Sequence, residues 1–320
     1  MDWHSLVSVT ERIRRVRQPR GGYVNPRTMD VRYLTGDKPA LLDHALENVN
    51  PSIVGSAVEY LTRWCLNRGQ QPQYPAAPRA FSTSRAGASQ LDKQFDTDYL
   101  ERAAHLCRIV DNAGDFRPDA PTLQTVDGIA AALELASFDV GARPGGVFAY
   151  NPNANTTPDE VTTEHIATMV HRSLAFFRLY GPALVDGFTM LGGYSGTVDS
   201  GDGDFVTLDT LWEFKVSAKP PTSAHTLQLL MYWLMASRSN WNWKPSWNWD
   251  RVTPVEAWCD GEDLESFVRE NNAWPDDLRG PVPNHLGVYN PRLDAVYRIA
   301  VDSISAETIA EVSRDVIGYE

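Results

Sequence analysis

Residues 201–217 read GDGDFVTLDTLWEFKVS, an acidic, glycine-spaced turn running straight into apolar, strand-like sequence that Glu213 and Lys215 interrupt. A lone carboxylate or ammonium is costly to bury unless it is paired or holds a metal, so this stretch demands partners. DFVTL and LWEFKV are separated by Asp209 and Thr210, the length of a two-residue hairpin. That turn sets Leu208 opposite Leu211, Val206 opposite Glu213 and Asp204 opposite Lys215. Because side chains alternate along a strand, Asp204, Glu213 and Lys215 then share one face, while Phe205, Trp212, Phe214 and Val216 share the other. Two adjacent carboxylates suit a hard divalent cation with oxygen ligands, Mg²⁺ or Mn²⁺, and a nearby lysine can orient a water or stabilise developing charge. The plain alternative is an Asp204–Lys215 salt bridge with Glu213 at a solvated edge.

The next segment adds to the pattern. LQLLMYWLMA is apolar nearly all round and reads as a buried helix, on which Gln228 and Tyr232, four residues apart, lie on one face. Taken together, the first acid, the E-x-K and the Q-x-x-x-Y resemble the PD-(D/E)XK, or restriction-endonuclease-like, nuclease superfamily in its RecB-like branch. The resemblance covers residues 50–68 and 185–235 and implies an α/β fold with a mixed central sheet flanked by helices, enlarged by a helical insertion at about 70–180. It implies that Asp204, Glu213 and the backbone carbonyl of Phe214 hold Mg²⁺ (or Mn²⁺), that Lys215 positions the attacking water, and that Gln228 and Tyr232 support the site. Glu59 matches the acidic residue that the family carries on the helix before the sheet; its plain reading is an exposed carboxylate paired with Arg63. The family's proline is absent, since Gly203 precedes Asp204, and Asp199 and Asp202 are rival first acids.

Elsewhere, NPSIVGSAVEYLTRWCLNR (residues 50–68) has helical spacing behind a cap at Asn50 and a proline at the first helical position. Gly55 on that helix would allow close approach of a strand. Residues 69–97, rich in Gln, Pro, Ser and Gly, read as loop. Helices are expected at about 98–113, 121–137 and 159–180, the last burying Val161, Ile166, Val170, Leu174 and Phe177. Strands are expected at LVDGFTMLGGY, VTPVEAWC, HLGVYN and DAVYRIAV, and a final helix near 305–316. Residues 1–48 read as an extended basic arm, and 49–320 as a single domain.

Composition bounds the function. The chain has 320 residues, 42% hydrophobic and 22% charged, values of a folded globular protein. A net charge of -12 argues against nucleic-acid binding by the whole surface and leaves local sites, of which Arg12, Arg14, Arg15 and Arg17 form the candidate. The bland reading of that run is a solvated face. Cys65, Cys107 and Cys259 form neither a disulfide framework nor a CxxC site, so no iron–sulfur centre is expected. No apolar stretch has membrane-spanning length, no signal h-region begins the chain, and no Walker A or dinucleotide fingerprint occurs, so a cytoplasmic protein without a nucleotide cofactor is expected. WNWKPSWNW (241–249) reads as a tryptophan staple or a base-stacking loop. The expected function is therefore a metal-dependent nuclease acting on nucleic acid, with DNA favoured, in phage defence or DNA repair and alone or with a protein subunit. The alternatives are an inactive nuclease-fold binding or assembly protein and an acidic scaffold that recruits a protein partner.

Overall fold

In the computed structural model the described residues are 6–68, 76–116, 122–143, 145–190, 192–239 and 283–320. The expected strand at VTPVEAWC, the WNWKPSWNW loop and Cys259 lie outside them. The strands, in chain order, are β1 (Val7–Ser8), β2 (Asp30–Tyr33), β3 (Val185–Thr189), β4 (Val198–Ser200), β5 (Asp202–Val206), β6 (Thr210–Phe214), β7 (His285–Asn290) and β8 (Ala295–Ala300). Six of them form one mixed sheet in the order β2-β8-β7-β6-β5-β3; β1 and β4 make a separate parallel pair. β3, β5 and β6 run as an antiparallel meander, and β7 then joins β6 in parallel, which requires a crossover.

Helices cover both faces. They are α1 (Val9–Arg15), α2 (Pro51–Asn67), α3 (Ala77–Ala80), α4 (Ser82–Phe95), α5 (Tyr99–Asp111), α6 (Leu123–Ser137), α7 (Glu160–Tyr180), α8 (Ser223–Arg238) and α9 (Ala306–Glu311), the last running on into a π-turn at Val312–Ile317. α2 and α4 to α7 pack against Phe205, Trp212, Phe214, Tyr289 and Val296 on one face. α1, α8 and the C-terminal turn pack against Val206, Leu211, Leu286 and Val288 on the other. This is the alternation expected of the β5–β6 hairpin, with odd and even positions feeding two different cores. α7 is pinned to the sheet by aromatic contacts: Phe176 stacks on Tyr289 at 4.1 Å between ring centres and meets Trp212 edge-on at 4.9 Å. The architecture is a mixed α/β fold with a layer of helices over each face of the sheet.

The expected helix at 50–68 forms as α2, with the Asn50 side chain accepting the Ser52 N–H and Pro51 at the first position. Three expectations are corrected. Residues 82–95, expected as loop, are helical because Ser84, Gly87, Ala88 and Leu91 recur at helical spacing on a buried face. Three of the four are so small that the face carries little hydropathy. Their size matters: a Cβ on Gly87 would lie 1.9 Å from the Phe138 carbonyl oxygen. Gly87→Ala should therefore cost roughly 1–3 kcal/mol in denaturant unfolding, since a backbone atom, not a side-chain tip, must yield; an unchanged midpoint would refute that packing.

Residues 6–48 are no extended arm. Ser8 caps α1 by accepting the Glu11 N–H, Val9 is fully buried, and β2 adds an edge to the sheet by pairing with β8. Val9, Ile13 and Val16 form an apolar stripe beneath the arginines, so the segment belongs to the domain. Finally, Val161 is 37% exposed, because it lies in the first turn of α7, ahead of the buried face.

Candidate active site

The β5–β6 turn centres one residue earlier than the dipeptide Asp209-Thr210 suggests, which shifts each cross-strand partner by two. The Thr207 N–H donates to the Thr210 carbonyl at 3.0 Å, so Leu208 and Asp209 are the central residues. The ladder pairs Phe205 with Trp212 and Val206 with Leu211. Side chains hold this register: Trp212 Nε1 donates to Thr207 Oγ1 at 2.9 Å, and the Asp209 carboxylate pairs with Arg298. Val206 is thus not opposite Glu213, nor Asp204 opposite Lys215. A slip of two residues leaves every side chain on its expected face, so the three charged groups still converge.

The partners of those groups are as follows. Asp204 Oδ2 accepts the Phe214 N–H at 2.7 Å. In an extended strand a residue's N–H and C=O point to the same side, so the Phe214 carbonyl is also directed toward Asp204. Glu213 is 2% exposed, and its Oε1 takes both the Lys215 ammonium and the Gln228 amide, the latter at 3.0 Å. The Gln228 amide also donates to Tyr232 Oη at 3.0 Å, which makes the i, i+4 pair of α8 a brace for this carboxylate. Glu213 Oε2 is buried and, among the described residues, has no hydrogen-bond partner. The Lys215 backbone N–H donates to the Tyr289 carbonyl at 2.9 Å, while its side chain stays 33% exposed and open to water.

Glu59 pairs with Arg63 Nη2 at 2.5 Å, yet its side chain is only 20% exposed. It belongs to the site electrostatically: burial first, then the negative charges of Asp204 and Glu213, lift its carboxyl to about 8 against the pull of Arg63 and Lys215. Burial and Asp204 likewise push Glu213 up to about 7, although Lys215 and Gln228 favour its ionised form. Burial works against the Lys215 ammonium, but Glu213 and Asp204 outweigh it and hold the lysine above its usual value. Gly55 makes no close approach, since a Cβ there would sit at an ordinary 3.8 Å from Val216. Of the rival acids, Asp199 lies on β4 with its carboxylate engaged by Ser200 Oγ, and Asp202 is exposed at the start of β5. The N-terminal arginines are partly spent: Arg12 donates to the carbonyls of Val316 and Asp315, and Arg14 and Arg15 pair with Glu11. Arg17 is exposed.

Among the described residues no group of three or more His, Cys, Asp or Glu side chains could hold a metal. Mg²⁺ does not need one, being satisfied by one or two carboxylates with waters and phosphate oxygens. The unpartnered Glu213 Oε2 fits such an ion, because a buried anionic oxygen with nothing to accept is otherwise a cost of about 1–3 kcal/mol or more. Sequence reasoning passed over two contributors. Arg63 was legible only as a partner of Glu59, but it also lies over the Phe205 ring at 5.3 Å. Asn290, at the end of β7, donates to the Ser217 carbonyl at 2.8 Å and so fixes the chain just after Lys215; only the parallel crossover brings it there. His225, legible from the sequence as a histidine near the cap of its helix, lies in the first turn of α8. Comparison with protein-family models, with curated proteins and with solved structures finds no match to this chain. Among the described residues no helix is long and apolar enough to cross a membrane.

Proposed function

We propose that this chain is a metal-dependent nuclease of the PD-(D/E)XK type with a restriction-endonuclease-like fold, hydrolysing phosphodiester bonds of nucleic acid, with DNA favoured. The observation that carries the reading is the buried, partnerless oxygen of Glu213, set beside Asp204 and Lys215 on one sheet face and braced by Gln228. Lys215 and Gln228 both engage Oε1, so the second oxygen is left to take a cation. Asp204, Glu213 and the Phe214 carbonyl would hold Mg²⁺ or Mn²⁺, which when bound polarises a phosphoryl oxygen and lowers the pKa of a bound water. Lys215, partly solvent-exposed and charged, orients the attacking water and stabilises the negative charge that builds on the phosphate. Gln228 and Tyr232 hold the Glu213 carboxylate in place, and Arg63 holds the Glu59 side chain by direct contact.

The test is cleavage of linear, circular and single-stranded DNA and of RNA with Mg²⁺, Mn²⁺ or EDTA. Cleavage that needs the metal and falls by about 10²-fold or more in Lys215→Ala is the expected result. Cleavage unaffected by EDTA, or by loss of Lys215, would exclude this mechanism, and absence of cleavage on every substrate by folded protein would favour an inactive binding protein.

A further inference from the structure

His225 sits in the first turn of α8, and its Nδ1 accepts the backbone N–H of Thr222 at 3.2 Å. A backbone N–H can only donate, so Nδ1 must carry the lone pair, and a neutral ring must carry its proton on Nε2. Burial, then the charge of Lys215, hold the imidazole down to about 4, so the ring is neutral at physiological pH and lies within the field of the lysine. Among the described residues Nε2 has no protein partner. The capping contact therefore does more than end a helix, because it fixes the tautomer and leaves an N–H donor unused one turn before Gln228, whose amide reaches the Glu213 carboxylate that Lys215 pairs with.

Residues 18–24 run against the same turn: a Cβ on Gly22 would lie 2.4 Å from Ser223 Cβ, and Thr226 Oγ1 donates to the Val24 carbonyl at 2.6 Å. Arg17 and Arg20, which immediately precede these contacts in the chain, are exposed. We infer that His225 is a substrate-contacting residue of the proposed nuclease, donating its Nε2–H to a non-bridging phosphate oxygen of the nucleic-acid strand beside Lys215. The inference rests on the nuclease reading for its substrate, but its donor geometry does not.

Two isosteric variants separate this contact from the cap. Asn at 225 can supply the acceptor in the place of Nδ1 but has no donor at Nε2, whereas Gln can reproduce the Nε2–H and not the cap. On the substrate that wild type cleaves, His225→Asn should raise KM about ten-fold or more at unchanged melting temperature, and His225→Gln should stay nearer to wild type in KM while melting lower. Wild-type KM in His225→Asn, or KM losses in both variants that follow their melting temperatures, would overturn the proposal. Should wild type cleave nothing, the nuclease reading fails by itself. His225 is then read by long-range ¹H–¹⁵N correlation of its ring during titration with a single-stranded oligonucleotide. A shifted Nε2–H resonance with Nδ1 unprotonated supports the contact, and an unperturbed ring overturns it.

Discussion

Glu213→Gln is expected to abolish metal-dependent cleavage and, in the metal-free protein, to flatten the dependence of stability on pH. The first effect follows from removing an anionic ligand while keeping the amide oxygen that accepts from Gln228 and Lys215. The second follows from linkage. The folded protein holds the Glu213 proton up to about 7, against 4.5 for an ordinary glutamate, and the Glu59 proton up to about 8. Between the unfolded and folded values the native state binds more protons than the unfolded chain, so stability is full at low pH and falls as the pH rises. At roughly 1.4 kcal/mol per pKa unit, the share of Glu213 in this fall is on the order of 3 kcal/mol. Gln cannot ionise and removes that share. Melting curves at about pH 5 and about pH 9 read the difference, and added Mg²⁺ should raise the alkaline melting temperature of wild type but not of the Gln variant. Retained cleavage, or an unchanged pH slope, would mean that Glu213 is only a structural ion pair.

Arg292→Ala should be the most destabilising single change outside the site. Arg292 is 1% exposed in the turn between β7 and β8, and its guanidinium donates to Glu47 Oε1 at 2.6 Å, to Glu47 Oε2 at 3.0 Å and to the Leu42 carbonyl at 2.7 Å. His165 Nδ1 lies 2.9 Å from the same Glu47, bringing α7 into the network. Removing the arginine strands a fully buried carboxylate, which costs about 3–5 kcal/mol and lowers the melting temperature by about 10 °C. The pair as a whole is worth much less than that, so Glu47→Leu combined with Arg292→Met should cost less than Arg292→Ala alone. A loss below about 1 kcal/mol for the single variant, or a double variant as unstable as the two single changes summed, would contradict this account.

The face on which Asp204, Glu213 and Lys215 meet was readable from the chain alone, and it survived an error in the turn. Alternation has a period of two, so a register slip of two residues changes which groups are opposite but not which face they occupy. α2 with its Asn50 cap, and α8 with Gln228 and Tyr232 on one side, were likewise local properties of spacing. What the tertiary structure decided is where each charge finds its partner. Phe214 gives its N–H to Asp204 because the hairpin turns at Leu208 and Asp209, a choice enforced by Trp212 on Thr207 and Arg298 on Asp209. Glu47 and Arg292 meet across 245 residues of sequence, and Asn290 reaches Ser217 only through the parallel crossover. α4 stayed hidden because Ser84, Gly87 and Ala88 bury almost no apolar area; a turn about fifty residues later selects two of them, its Phe138 carbonyl against Gly87 and its Asp139 carboxylate accepting from Ser84. Periodicity is carried by neighbours in sequence, and so the chain by itself specifies faces; the pairing of buried charges depends on which distant segment desolvates them, and that only the packed structure supplies.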